Sequence, residues 1–188
     1  MNTPAHLILN AAALGRGRLR DETRWILLGA VAPDLGMFVF FAWQVGVLGT
    51  SQTQIWNVEY FRPDWQLFFD LANSIPLAAL GLAIAWRLQS TRATAFFASV
   101  CLHCAIDLAL HHDDGHRHFL PLTGWRFASP ISYWDPRHYG WLGALLEVCT
   151  VALGSLSLAR RFPRIGPRAL LAAITALYLA LYTWAYVV

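Results

Sequence analysis

Charged residues are scarce in this chain of 188 residues, and lysine is absent, so all 14 basic residues are arginine. Only 13% of the residues are charged, whereas 57% are hydrophobic, and the mean hydropathy is +0.44. A water-soluble domain of this size rarely stays in solution with such a balance. The composition therefore argues against an ordinary soluble protein and favours the lipid bilayer as the solvent.

The sequence also lacks Gly/Ser-rich or Pro-rich linkers, internal repeats and low-complexity tracts. Because nothing divides the chain, residues 1–188 are predicted to form a single domain. Cysteine is rare: Cys101 and Cys104 lie one turn apart in an apolar run, and Cys149 lies in another. Without a second cysteine cluster, these residues are predicted to be buried thiols and not parts of a disulfide or zinc framework.

The first residues carry no charge ahead of their apolar stretch, and the first arginines come after it. This order is the reverse of a secretory signal peptide, so we expect the segment to remain on the mature protein. The net charge of +3 does not indicate a nucleic-acid partner, because the arginines form short patches between apolar runs. Such patches instead indicate how the chain is oriented in a membrane.

Several apolar runs are long enough to cross a membrane, which takes about 20 helical residues for about 30 Å of hydrocarbon. Residues 4–14 are too few and are predicted to form a half-depth helix, with Thr3 as its N-cap and Pro4 at its first position. The sequence thus predicts an all-α integral membrane bundle of about five transmembrane helices plus this short N-terminal helix. The five predicted spans are 25–48, 74–88, 92–112, 139–159 and 167–188.

Arginine is distributed unevenly between the predicted loops. Ten of the fourteen arginines fall in the loops 16–24, 87–92 and 160–168, whereas the alternate loops 49–73 and 113–138 hold only four. The positive-inside rule places the arginine-rich loops in the cytoplasm and the two long loops outside. We therefore expect a multi-pass protein of a bacterial inner membrane, with residues 113–138 folded as a lid over the outer mouth of the bundle.

Ionisable residues nevertheless occur inside the apolar runs, where each costs several kcal/mol unless it is paired, solvated or bound to a metal ion. His6 lies in the half-depth helix and Asp34 in the first span, while His103 and Asp107 lie in the third span and Glu147 in the fourth. The helical rise places all of them between the middle and the outer half of the membrane. We therefore expect them to meet in one pocket.

His103, Asp107 and His111 follow one another at intervals of four residues, which puts them on one face of a helix. Imidazole and carboxylate groups are good ligands for zinc or a similar divalent metal ion, and a further ligand must come from another helix. The candidate metal ligands are His6, Asp34, His103, Asp107, His111 and His112.

Each of these residues also has a simpler interpretation. His103 and Asp107 could form a buried hydrogen-bonded pair that locks two helices together. Asp34 follows a proline and could cap a restarted helix. Glu147 could form a salt bridge with a histidine, and the later loop histidines could simply be solvated. These interpretations need no metal ion, but they do not explain why the residues share one depth.

The same residues resemble a known family. His6 near the start, Asp34 in GAVAPDLG, the DLANS segment, and His103 with Asp107 in HCAID are similar to motifs of the bacterial membrane-bound metal-dependent hydrolases. The similarity covers the N-terminal part of the chain up to HCAID. It implies a multi-span inner-membrane protein in which His6, Asp34 and Asp107 are metal or catalytic residues, with His103 beside them. Asn73 stands where the family usually has a histidine.

The sequence therefore favours a membrane-embedded metal-dependent hydrolase that acts on a lipidic or amphiphilic ester or phosphoester at the outer face of the membrane. The metal ion would lower the pKa of a bound water molecule and polarise the substrate, with Glu147 or Asp114 as the general base. Two alternatives stay open: a non-catalytic subunit or assembly factor of a membrane complex, and a small transporter or proton relay. Membrane lipids are expected partners, and a membrane protein or a second copy of the chain are further candidates.

Overall fold

The computed structural model covers residues 1–188 and is all helical, as predicted. Nine α-helices are joined by turns, loops and short 3₁₀ segments, and the chain has no strand. The helices are α1 (Thr3–Leu14), α2 (Thr23–Val31), α3 (Leu35–Gly46), α4 (Gln52–Asn57), α5 (Pro63–Ala72), α6 (Ile75–Arg87), α7 (Thr91–Leu110), α8 (Gly140–Ala159) and α9 (Ile165–Tyr186).

Five segments are long and apolar enough to cross a membrane, so the chain is a multi-pass helical membrane protein. Two of these segments consist of two helices each, with a break in the α-helix between them. A 3₁₀ turn separates α2 from α3, and a short turn separates α5 from α6. The second segment is therefore longer than the predicted 74–88. The five segments are Thr23–Gly46, Pro63–Arg87, Thr91–Leu110, Gly140–Ala159 and Ile165–Tyr186.

The two breaks follow from local sequence. Pro33 has no amide hydrogen to donate to a helix, and the chain forms a 3₁₀ turn at Ala32–Asp34 between α2 and α3. At the second break, the hydroxyl oxygen of Ser74 accepts a hydrogen bond from the amide of Leu77 at 3.2 Å and so caps α6. Ser74 is therefore the N-cap residue of α6.

Helix α1 lies inside the bundle, packed against α2, α7 and α8. Its small residues Ala5 and Ala12 are buried, which lets the neighbouring helices approach closely. The predicted N-cap is wrong, since Asn2 takes that position and Thr3 is the first helical residue. The hydroxyl of Thr3 instead donates to a carboxylate oxygen of Asp34 at 2.5 Å, which ties the start of α1 to the 3₁₀ turn.

Helices α2 and α7 cross in close contact at Gly29. A Cβ atom at this position would lie 2.3 Å from the carbonyl oxygen of Phe96. Glycine has no Cβ atom, so it permits this approach of the two backbones. The crossing fixes the distance between the 3₁₀ turn that follows α2 and the face of α7 that carries His103.

The bundle has two chemically different ends. One end, here called the arginine end, consists of the turns at residues 15–22, 88–90 and 160–164. The opposite end, here called the loop end, consists of residues 47–62 and 111–139. Asp107 and Glu147 lie closer to the loop end, since Asp107 comes three residues before α7 ends and Glu147 seven residues after α8 begins.

The long loop of residues 111–139 packs on the last turn of α7. The hydroxyl of Ser129 donates to the carbonyl oxygen of Ala109 at 2.6 Å, and the amide of Tyr133 donates to that of Leu110 at 2.9 Å. These bonds satisfy carbonyl groups that a helix end leaves without partners. The loop therefore covers the helix end directly above the ionisable residues of α7.

The three cysteines are free thiols, as expected. Cys104 is buried and Cys101 is half-buried, but Cys149 is exposed. The prediction of a buried thiol is therefore wrong for Cys149, which lies on a face of α8 that the rest of the chain does not cover.

Candidate metal centre

Helix α7 presents His103 and Asp107 on one face, one turn apart, as their spacing predicts. Both side chains are buried. His103 Nδ1 lies 2.8 Å from the carbonyl oxygen of Ala30 in α2, and His103 Nε2 lies 3.1 Å from Asp107 Oδ2. Because a carbonyl oxygen can only accept a hydrogen bond, the first contact fixes a proton on His103 Nδ1.

Helix α1 brings His6 to the same place. His6 Nε2 lies 2.9 Å from Asp107 Oδ1, and the ring of His6 stacks on the ring of His103 with centroids 3.6 Å apart. Neither imidazole is exposed. One ligand atom from each of His6, His103 and Asp107 lies within 4.8 Å of the others, so this group can hold a metal ion.

The 3₁₀ turn between α2 and α3 adds Asp34. Its Oδ1 atom lies 3.5 Å from His103 Nε2, and its Oδ2 atom accepts the hydrogen bond from Thr3. Asp34 occupies the position before α3, as the capping interpretation requires, but its side chain makes no capping hydrogen bond. The carboxylate therefore faces the histidines and not the helix amides.

Within the group of His6, His103 and Asp107, two buried imidazole nitrogens have no hydrogen-bond partner, His6 Nδ1 and His103 Nε2. The second faces two carboxylate oxygens, from Asp107 at 3.1 Å and Asp34 at 3.5 Å, without hydrogen-bond geometry to either. With His103 Nδ1 protonated, a neutral ring would point its Nε2 lone pair at two anions. A positive charge between these groups, a proton or a metal ion, removes the conflict.

Asp107 is the centre of the cluster. The amino group of Met1 lies 2.8 Å from Asp107 Oδ1 and 3.3 Å from His111 Nε2. His111 Nε2 in turn lies 3.6 Å from Asp107 Oδ1. Four nitrogen atoms therefore surround the buried carboxylate of Asp107. They belong to the amino group of Met1 and to the imidazoles of His6, His103 and His111.

His111 and His112 separate at the end of α7. His111 follows the helix with extended backbone angles, so successive side chains point to opposite sides. His111 remains at the edge of the cluster, whereas His112 Nδ1 lies 2.6 Å from the carbonyl oxygen of Ser129, and its ring stacks on that of His138. The structure thus brings five of the six predicted ligands together and places His112 outside.

The two predicted general bases lie around the cluster without touching its three central residues. Asp114 Oδ2 lies 3.2 Å from His111 Nδ1 and accepts a hydrogen bond from the Trp134 indole at 2.9 Å. Burial raises the pKa of Asp114, but these two contacts outweigh it and hold the pKa below its usual value. Glu147 Oε1 accepts hydrogen bonds from the amide and side chain of Asn2, both at 2.9 Å. Their catalytic assignment stays a prediction.

A second polar contact lies one helical turn from the cluster on both α1 and α7. Asn10 Nδ2 donates to the hydroxyl of Ser99 at 2.8 Å, and that hydroxyl donates to the carbonyl oxygen of Ile26 at 2.6 Å. Asn10 is four residues after His6, and Ser99 is four residues before His103. Asn10 and Ser99 are not among the predicted site residues, although their spacing of four residues from His6 and His103 indicates the same helix faces.

Asn73, at the break between α5 and α6, is buried close to the cluster. Its side-chain nitrogen lies 3.0 Å from the carbonyl oxygen of Phe69 and 3.5 Å from that of Pro33, the residue before Asp34. Its side-chain oxygen has no hydrogen-bond partner. The position at which the sequence departs from the hydrolase motifs therefore adjoins the backbone of Pro33, the residue before Asp34.

His118 anchors the long loop below the surface of the loop end. Its carbonyl oxygen accepts a hydrogen bond from the amide of Ile75 at 2.9 Å, and its ring nitrogen Nδ1 lies 2.9 Å from the carbonyl oxygen of His116. The side chain is buried outside the spanning segments. Burial, helped by the charge of His116, lowers the pKa of His118 to about 4.

We expect acid to destabilise the protein through His118. Between pH 6.5 and about pH 4, the unfolded chain binds a proton at this residue that the folded chain does not, so stability falls as the pH falls, by up to about 3 kcal/mol. His118→Asn keeps a donor for His116 but does not titrate. Its free energy of unfolding in detergent should depend less on pH across this window than that of the wild type. Parallel losses in the two proteins would exclude His118 as the cause.

A buried His/Asp cluster within a multi-pass helical bundle thus defines this molecule. A scan against protein-family models, a search of characterised proteins and a search of solved structures each found no match. The resemblance to membrane-bound metal-dependent hydrolases therefore stays a prediction.

Proposed function

We propose that the protein is a membrane-embedded metal-dependent hydrolase, in which His6, His103 and Asp107 hold a divalent metal ion such as zinc. The observation that carries the proposal is the pair of buried imidazole nitrogens without partners, on His6 and His103. A buried polar atom left unsatisfied costs about 1–3 kcal/mol. A bound cation offsets this cost and also compensates the carboxylates of Asp107 and Asp34.

The distances support a metal ion after a small adjustment. Two ligand atoms that are each about 2.1 Å from one zinc ion are separated by no more than about 4.2 Å. The candidate ligand atoms of His6, His103 and Asp107 lie within 4.8 Å of one another, so the group needs to contract only slightly. The two stacked imidazole rings must also turn towards the ion. Asp34, which is 3.5 Å from His103 Nε2, is the candidate for a further ligand.

Three protein ligands would leave a position open for water, and the bound ion would supply Lewis acidity, which lowers the pKa of that water to about 7 and polarises an acyl or phosphoryl oxygen of the substrate. Asp114 and Glu147 are the candidates for the general base. Asp114 reaches the cluster through His111, whereas Glu147 reaches it through Asn2 and the adjoining Met1.

A groove next to the cluster supports a lipidic or amphiphilic ester or phosphoester as substrate. It has a volume of about 360 Å³ and opens between α8, α9 and the start of α1. Leu181 contributes to its apolar wall, and Asn2 and Glu147 line it as well. Tyr133 also lines the groove, and its ring centroid is 4.9 Å from that of His111. A hydrocarbon chain in the groove would lie beside the edge of the cluster.

We assign the arginine end to the cytoplasm and the loop end to the outer face of a bacterial inner membrane. The distribution of arginine supports this orientation through the positive-inside rule. The resemblance of the motifs around His6, Asp34 and HCAID to inner-membrane hydrolases supports the choice of membrane. In this orientation, the cluster lies in the outer half of the bilayer, within reach of lipid headgroups.

A second candidate is a non-catalytic subunit of a membrane complex. The observation that favours it is the environment of Asp107, whose Oδ1 atom is already within hydrogen-bond distance of His6 and the amino group of Met1. A cluster of this kind can hold helices together without an ion. Metal analysis separates the two candidates.

The test uses purified wild-type protein and two histidine variants. We expect about one equivalent of a divalent metal in the wild type and in His112→Ala, because His112 lies outside the cluster, and none in His103→Ala. Each sample is then incubated with fluorogenic amphiphilic esters and phosphoesters. Hydrolysis should follow the metal content.

The outcomes separate the candidates. Metal lost only from His103→Ala, together with hydrolysis lost in parallel, supports the hydrolase. Metal without hydrolysis of any probe leaves a metal-binding membrane protein and contradicts the enzymatic part. The absence of metal from all three proteins contradicts the proposal and favours the non-catalytic subunit.

A further inference from the structure

A polar pocket opens at the arginine end, where the turn after α1 meets the end of α6 and the start of α7. Its volume is about 450 Å³. Arg18, Arg87, Gln89 and Thr94 supply polar groups to its wall, and Trp86 supplies an indole. These residues come from separate parts of the chain, so the fold itself brings two guanidinium groups to one pocket.

Both guanidinium groups are free. Arg18 and Arg87 form no ion pair and no side-chain hydrogen bond within the chain, although Arg161 at the same end donates to backbone carbonyl groups of α1. A guanidinium presents several donors in one plane and matches phosphate oxygens in pairs. Two of them facing one pocket form an anion site.

Gln89 lines the pocket although its backbone is in a strained conformation. It connects α6 to α7 with a φ of 53°, in the left-handed region that helix ends normally give to glycine. A residue with a Cβ atom costs about 1 kcal/mol or more in this conformation. The Gln89 side chain lines the pocket, where its amide adds a hydrogen-bond donor.

Residues at the start of α7 complete the wall. Thr94 lies one turn into the helix, and its hydroxyl has no partner in the chain. Thr91 also lines the pocket, but its hydroxyl donates a hydrogen bond to the carboxylate of Glu22 at 3.0 Å. The positive end of the helix dipole adds to the two arginines.

Trp86 indicates the depth of the pocket in a membrane. Its side chain is 71% exposed at the last turn of α6, and exposed indoles favour the layer of lipid headgroups. A site at this level meets lipid phosphates before any dissolved anion. We propose that the pocket binds the phosphate group of an anionic membrane lipid through Arg18, Arg87 and Gln89.

The test measures lipids retained by the detergent-purified full chain in native mass spectrometry. Phosphatidylglycerol and phosphatidylcholine with the same acyl chains are offered in equal amounts. We expect the wild type to favour phosphatidylglycerol about tenfold or more, and Arg18→Gln/Arg87→Gln to lose this preference. The matched control is Arg20→Gln/Arg92→Gln, which removes two unpaired arginines at the same end but outside the pocket and should retain the preference.

If both double variants lost the preference for phosphatidylglycerol equally, the arginine end would attract anionic lipids in general and the proposed site would be wrong. A wild type without this preference would also contradict the proposal. Displacement of phosphatidylglycerol by excess inorganic phosphate would identify a free anion as the ligand and would contradict the proposal of a lipid ligand. Gln89→Gly provides an independent check, because it should raise the melting temperature by relieving strain and yet weaken lipid retention. Unchanged retention in this variant would remove Gln89 from the site.

Discussion

Asp107→Ala should lower the free energy of unfolding by about 3–5 kcal/mol, because it leaves buried partner groups without their shared carboxylate. His6, His103 and the amino group of Met1 all lie within 3.1 Å of Asp107 in the fold. The variant should also lose the metal ion. Both effects are measurable on one sample, by denaturation in mixed micelles and by elemental analysis.

Asp113→Ala is the matched control for this variant. It removes a carboxylate six residues further on, from an exposed side chain without a bond in the structure, so stability should stay within about 0.5 kcal/mol of the wild type. A similar loss of stability in both variants would mean that negative charge at the loop end matters in general. A fully stable Asp107→Ala would show that the cluster contributes nothing to the fold.

Gly29→Ala should destabilise the protein by about 1–3 kcal/mol and weaken metal binding, although it adds only one methyl group. That group would lie 2.3 Å from the carbonyl oxygen of Phe96, in the backbone of α7, so the two helices must move apart. Their separation loosens the contact between His103 and the carbonyl oxygen of Ala30, which orients the imidazole. Thermal melts and metal titrations of the variant measure the two effects.

Gly46→Ala controls for the change of residue type. Gly46 is also in a helix, at the end of α3, and a Cβ atom there would meet nothing within 4 Å. The variant should be unchanged or more stable by about 0.5–1 kcal/mol, because alanine favours the helix. If Gly29→Ala matched this result, the close crossing would not be what holds His103 in place.

The fold could be predicted largely from hydropathy, because crossing a membrane demands long apolar helices. The predicted span 74–88 is too short because Asp70 and Asn73 interrupt the apolar run, whereas the segment in the structure is Pro63–Arg87. In the structure, Asp70 bonds to Arg117 of the long loop, and the side-chain nitrogen of Asn73 lies 3.5 Å from the carbonyl oxygen of Pro33. A hydropathy average over neighbouring residues cannot predict such contacts with distant parts of the chain.

The core of the candidate site was also predictable, but its edges were not. The four-residue spacing of His103 and Asp107 fixes them on one helix face, whatever surrounds them. The exclusion of His112 depends on the end of α7 at Leu110, two residues before the end of the predicted span 92–112. The contact from Thr3 to Asp34 depends on where α1 docks, which no local pattern reveals.

The most direct test is an anomalous difference map from crystals of the protein grown with zinc. The account predicts a peak about 2.0–2.2 Å from a nitrogen of His6, a nitrogen of His103 and an oxygen of Asp107, with the imidazole rings turned towards it. A map without a peak at this position, with His6 Nε2 still within hydrogen-bond distance of Asp107 and the His103 ring unmoved, would contradict a metal centre.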